Sequence, residues 1–213
     1  MITIGVEMQT IQTKNNDIEK IKSKLHFSEV RATEAASYLM SKCGGIINYT
    51  KLLKLLYLAD RRSLLERERP ITFDTYVVMD NGPVLSQTYD LIKEIDLDLY
   101  FWNKHITRKG YNVALTEPVK LRLLSRSDIK ILDAIFTEYG HFTYSELIEI
   151  CHKLPEYRRP KDGTSVDLST EKILTCLGFS SEIAESIVDS LDEDEELRSL
   201  LGWNIVEDAS STG

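Results

Sequence analysis

The sequence predicts an α+β fold, predominantly helical, with the helices packed against a small antiparallel β-sheet or hairpin. Three observations carry this. Apolar residues recur at helical spacing in several segments bounded by capping residues and glycine or proline. One stretch, Ile71 to Met79, alternates and is rich in Thr, Val, Tyr and Phe. Another, Leu99 to Leu115, reads as two strands joined at Arg108-Lys109-Gly110, a short loop containing glycine.

Taken in order, residues 1–28 read as a polar extension with one marginal helix from Asn16 to Leu25. A helix from Val30 to Lys42 places Ala32, Ala35, Ala36, Leu39 and Met40 on one side, and Gly44-Gly45 stops it. Asn48 or Thr50 caps the next helix, which runs to about Arg67, and Pro70 forbids its continuation. After the strand, Asp80-Asn81-Gly82-Pro83 is a turn and Leu85 to Ile95 a short helix. Beyond the two later strands, Ser125 or Ser127 caps a helix ending at Gly140. Thr143 and Glu146 form a capping box for another that ends before Pro155. A short helix spans Ser169 to Leu177, and Ser180 to Leu201 reads as a helix broken at the acidic run Asp192–Glu196. The organisation expected is an N-terminal extension (1–28), one domain (29–190), and an acidic C-terminal segment (191–213).

The formal net charge is −8, but it is unevenly distributed. Residues 1–160 carry +2 and residues 161–213 carry −10. The acidity speaks against general binding of nucleic acid or anionic membrane, while leaving room for a local basic patch. Three cysteines at wide spacing make a disulfide framework improbable and suit a reducing cytoplasm. No leader pattern and no membrane-length apolar run stand in the sequence, so a cytoplasmic location with no membrane partner is expected.

Phosphate-loop, nucleophile-elbow, zinc-protease and dinucleotide motifs are all missing from the sequence, so no catalysis, cofactor or metal is expected. Glu149-x-x-His152 has the spacing of a two-metal helix motif but occurs once, and reads better as a polar helix end. His105 and His141 have no partner by spacing, and Cys43, before a Gly-Gly turn, reads better as a small space-filling residue than as a reactive thiol. Asp60 is more informative, because it shares a helix side with Leu53, Leu56 and Leu64. A carboxylate there must be paired if that side is buried. The turn at Asn81-Gly82 is its expected partner. Arg61, Arg62, Arg67 and Arg69 cluster at the end of the same helix, and Arg158, Arg159 and Lys161 form a second basic knot. Each reads as a solvated surface, with DNA contact the alternative for the first.

Four ordered blocks carry a family resemblance. They are Lys51-Leu52-Leu53-Lys54-Leu55-Leu56-Tyr57-Leu58-Ala59-Asp60, then Asn81-Gly82-Pro83-Val84-Leu85 with Tyr89-Asp90. Leu124-Ser125-Arg126-Ser127-Asp128 with Tyr139-Gly140 follows, and Glu146-Leu147 with His152 and Tyr157 completes the series. In these blocks the chain resembles the Panacea (SocA-like) domain of bacterial and phage antitoxins. Tyr157 stands where that family usually has Trp, and Met79-Asp80-Asn81 replaces its aromatic-basic pair before Gly-Pro. The resemblance implies Lys54, Tyr57, Asp60, Gly82, Pro83, Tyr89, His152 and Tyr157 as motif residues. It also implies an antitoxin that binds and neutralises a co-encoded protein toxin. A DNA-binding autoregulator and an adaptor that delivers the toxin to a protease are the alternatives. Tyr76, Tyr100, Trp102 and Tyr111, on or beside the predicted strands, are the candidate partner anchors.

Overall fold

The computed structural model describes residues 27–94, 100–161 and 163–200. Among them the chain order is α1 (Glu29–Lys42), β1 (Ile46–Asn48), α2 (Tyr49–Arg67), β2 (Tyr76–Met79), β3 (Gly82–Leu85) and α3 (Ser86–Lys93). Then follow α4 (Tyr100–His105), β4 (Ile106–Lys109), β5 (Asn112–Leu115), α5 (Arg126–Tyr139), α6 (Tyr144–His152), β6 (Val166–Leu168), α7 (Thr170–Cys176) and α8 (Ser181–Leu200). The expected fold class holds: helices dominate, and two three-stranded antiparallel sheets accompany them, ordered β1-β5-β4 and β3-β2-β6.

Helix α2 is the axis of the fold. Every residue from Leu52 to Asp60 is buried, so no side of this stretch faces water. A helix apolar on all sides is stable only when surrounded, and α2 packs against α1, α5, α6, α7 and strand β3. Its first turn is capped by Asn48, whose side-chain oxygen accepts from the Thr50 and Lys51 amides at 3.0 and 3.2 Å. Both Ser125–Asp128 and Thr143–Glu146 are complete capping boxes, opening α5 and α6.

Buried charges tie α1 to this frame. The Arg31 guanidinium donates to Asp128 at 2.9 Å and to the Leu123 carbonyl at 2.8 Å. The Glu34 carboxylate accepts from the amides of Arg122, Leu123 and Leu124 at 2.8, 3.0 and 3.1 Å. The segment leading into α5, which would otherwise leave amides without partners, is thereby closed. Burial pushes the Asp128 carboxyl upward, but the Arg67 hydrogen bond, the Ser125 amide and the Arg31 charge outweigh it and hold the group below its usual range.

Four expectations from the sequence need correction. The strand expected over Ile71–Met79 is confined to Tyr76–Met79, because the Ile71 and Thr72 amides donate to Asp60 instead of to a ladder. The strand expected before the hairpin is helix α4 over Tyr100–His105. Its aromatic residues favour strands, but Trp102 is buried and its amide donates to Glu29 at 2.6 Å, so tertiary packing overrides the local preference. The β4–β5 turn is accordingly two residues, Gly110-Tyr111, with Gly110 at φ +64°. Helix α8 is continuous through the acidic run. No glycine or proline interrupts it, and Ala184, Ile187 and Leu191 pack inward while Asp192, Glu193, Asp194 and Glu196 are exposed. Strands β1 and β6 were not foreseen; at three residues each they are too short to show a period. The helix expected over Asn16–Leu25 and the frayed tail lie outside the described residues.

Candidate functional site

Several motif residues meet at one structure, the two-residue turn Asp80-Asn81 between β2 and β3. Lys54 reaches its end from α2. The Lys54 ammonium donates to the Pro83 carbonyl at 2.8 Å. His152 Nε2 and the Tyr157 hydroxyl both meet the Asp80 carbonyl, at 2.9 and 3.2 Å, and the two rings stack at 4.4 Å between centroids. A hydroxyl can only donate to a carbonyl, so the Tyr157 bond fixes its proton. Gly82 sits at φ +92°, and a Cβ built there would lie 3.2 Å from Cys151 Cβ and 3.3 Å from Lys54 Nζ. Glycine is required at this position for conformation and for space alike.

Tyr57 links α2 to the segment just before Tyr157. Its hydroxyl donates to Glu156 at 2.8 Å, and Glu156 also receives Arg61 at 2.6 Å. The Tyr57 ring meets that of Tyr76 edge-on at 5.8 Å. Burial, followed by the neighbouring Glu156 charge, pushes the Tyr57 phenol well above its ordinary value.

The partner expected for Asp60 is wrong. Its carboxylate accepts from the Ile71 and Thr72 amides at 2.8 and 3.0 Å, from the Thr72 hydroxyl, and from the Tyr76 hydroxyl at 3.0 Å. It does not reach the Asn81–Gly82 turn. The loop immediately after its own helix is nearer in sequence and supplies amides first. Asp74 repeats the device: it accepts from the Gln87 and Thr88 amides at 2.9 and 2.8 Å and from the Thr88 hydroxyl at 2.6 Å. It thus caps α3, whose own N-cap residue Leu85 has no side-chain oxygen. Burial raises the Asp60 carboxyl and lifts that of Asp74 to about 7.

Outside the turn lies a cleft of about 190 Å³, lined by Tyr49, Tyr89, Lys54, Met79 and Asn81 among others. Tyr89, a motif residue, is therefore a wall of this cleft. The Lys93 ammonium lies 4.6 Å from the Tyr49 ring centre and 5.2 Å from that of Tyr89.

The remaining candidates separate clearly. Tyr76 and Trp102 are only 3% and 2% exposed, so both are core residues and present no surface to a partner. Tyr111 is 77% exposed at the hairpin tip. Tyr100 begins α4, and its side chain lies outside the described ones. The basic cluster on α2 is spent internally: Arg61 pairs with Glu156, Arg62 with Glu138 and Arg67 with Asp128, while Arg69 lies over the Phe73 ring. It is not a free basic face. Glu149 is exposed and His152 faces Asp80, and among the described residues no group of three or more His, Cys, Asp or Glu could hold a metal ion. Burial pushes the Cys151 thiol up to about 11 and that of Cys43 in the same direction, which makes both poor nucleophiles. Sequence reasoning missed Glu156, Asp74 and Glu34. The signal for Glu156 was indirect: a buried Tyr57 needs an acceptor.

The domain is predominantly helical, and motif residues of its first, second and fourth blocks meet at a Gly-Pro turn. Residues 52–157 match the model of the family described as Antitoxin SocA-like, Panacea domain, and the chain carries such a domain there. The match begins on α2 and ends at Tyr157, enclosing every motif residue named above. Comparison with curated proteins and with solved structures gave no match. Among the described residues no helix is long and apolar enough to cross a membrane.

Proposed function

We propose that this protein is the antitoxin of a toxin–antitoxin pair, neutralising a co-encoded protein toxin by direct binding and without catalysis, in the cytoplasm of a bacterium or of a phage-infected cell. One observation supports this reading above the rest: the motif residues are consumed in holding the fold, three of them at one turn. Lys54, Tyr57, Asp60, His152 and Tyr157 each have an intramolecular partner, and a side chain at Gly82 would press on Cys151 and Lys54. Groups engaged in this way position a surface and leave no reactive atom for a substrate. Binding through a preorganised surface loses little conformational entropy, which favours tight inhibition.

Co-expression with the protein encoded by the adjacent gene tests it. Growth is expected to be restored and the two proteins to co-purify. Growth arrest despite soluble antitoxin, or rescue with no complex, would overturn direct neutralisation. Deleting residues 189–213 is expected to leave rescue unchanged, since Asp192, Glu193, Asp194 and Glu196 of α8 lie on its solvent side. Lost rescue would assign the acidic segment to the interface.

A further inference from the structure

Two groups of cations in this molecule are held in different ways. Arg31, Arg61, Arg62 and Arg67 are held by carboxylates. Lys93 and Arg108 instead lean on tyrosine rings, with no carboxylate partner among the described residues. Lys93 donates to the Tyr49 hydroxyl at 3.1 Å and lies over the Tyr49 and Tyr89 rings. Arg108, on the exposed strand β4, sits 5.7 Å from the Tyr49 ring centre. Tyr111 stacks on Tyr49, with centroids 6.3 Å apart and planes 21° from parallel, and it is 77% exposed. These groups come from three separate segments: the start of α2, the end of α3, and the β4–β5 hairpin.

The platform is rigid. The Tyr49 amide donates to the Tyr111 carbonyl at 3.0 Å, and β1 pairs with β5 in the register Asn48–Asn112 just beside it. The hairpin tip is thus bolted to the helix that begins at Tyr49. Tyr111 is held out to solvent, and the ring it stacks on, Tyr49, carries Lys93 and Arg108, which have no carboxylate partner among the described residues.

We propose that this patch binds single-stranded nucleic acid, one base stacking on Tyr111 and the adjoining phosphates meeting Arg108 and Lys93. A flat aromatic face flanked by cations is the arrangement by which proteins hold single strands without reading sequence. Cations alone would serve any acidic segment; the exposed face of Tyr111 adds a stacking surface that every nucleobase can use, and this favours the nucleic acid. Asp90 and Glu94, beside Lys93 in sequence, keep the affinity modest. This activity is separate from toxin binding and does not depend on it.

Fluorescence anisotropy with labelled U12 and dT12 oligonucleotides, on the full chain from low to moderate salt, tests the proposal. Both oligonucleotides are expected to bind, with little preference. Y111A is expected to weaken binding at least fivefold, and Y111F to retain it. R108Q combined with K93Q is expected to flatten the logarithmic salt dependence by about 1.4, which is about 0.7 for each phosphate no longer neutralised. Melting temperature serves as the folding control, and R108Q alone covers the case in which removing the Lys93–Tyr49 bond perturbs the fold. No binding by the wild type overturns the proposal. So does equal binding by Y111A and the double variant, which would place the oligonucleotide elsewhere. Displacement of the oligonucleotide by poly-glutamate of matched charge, with Y111A as tight as wild type, would assign the patch to an acidic protein.

Discussion

Helix α2 buries a charge at each of two points less than two turns apart, and the two are stabilised in opposite ways. Asp60 and Lys54 are both fully enclosed. The carboxylate is met by two amides and two hydroxyls from the segment that follows the helix. The ammonium is met by the Pro83 carbonyl. Burial therefore raises the pKa of Asp60 and lowers that of Lys54 to about 8, and in each case the neutral form gains. Burial alone does not say what a charge is for. The Asp60 end is a sealed structural joint, while the Lys54 end supports the turn that borders the cleft.

The sharpest way to break this comparison is Asp60→Ala, which strands four donors in the core. It should cost about 3–5 kcal/mol, within the range for removing one partner of a buried charged network. Chemical denaturation measures it, and a loss below about 1 kcal/mol would show that the joint is not structural. Gly82→Ala acts at the other end. The left-handed backbone and the close approach of Cys151 and Lys54 predict a cost of about 2–4 kcal/mol. A wild-type melting temperature in G82A would refute the tight packing of the turn.

Titration separates the two ends next. The folded protein keeps the Asp74 proton to about pH 7, whereas an unfolded aspartate loses it near its ordinary value. Across that window the folded state binds more protons, so this group's contribution to stability falls as pH rises from about 4 to 7. Lys54 has the opposite sign. Its folded form releases a proton near pH 8 while the unfolded chain holds it to about 10.4, so its contribution rises with pH over that interval. Melting curves should show the acid-side slope flattened in D74N alone and the alkaline-side slope flattened in K54M alone. If either variant changes the other window, the assignment fails. The smallest effect belongs to Arg62→Gln, whose bond to Glu138 lies at the surface. A change of less than about 0.5 kcal/mol is expected from double-mutant analysis of this pair.

Much of the frame was legible in the sequence, for local reasons. Ser125, Thr143 and Asn48 sit at helix starts because their oxygens reach amides two or three residues ahead, and that spacing is visible in one dimension. The need for a partner at Asp60 was also visible, since a carboxylate among leucines demands one. Its identity was not, because several turns could supply amides. Trp102 and Tyr76 had the composition of strand and surface anchors, and only the packing of α4 and the edge contact with Tyr57 assigned them to the core.

The sequence alone determined most of the helices and several of their caps, the match of residues 52–157 to a family model, and the concentration of negative charge in the last quarter of the chain. Each depends on neighbours in sequence, on residue order or on composition. Tertiary structure alone decided which charges remain available. Arg61, Arg62 and Arg67 look like an exposed basic cluster when read in order, yet each has a carboxylate partner 61 to 95 residues away, with Glu66 a second, local partner of Arg62. Lys93 and Arg108 are isolated from each other along the chain, yet they stand together at Tyr49. A Coulomb interaction depends on distance through space, and that distance is set by the fold.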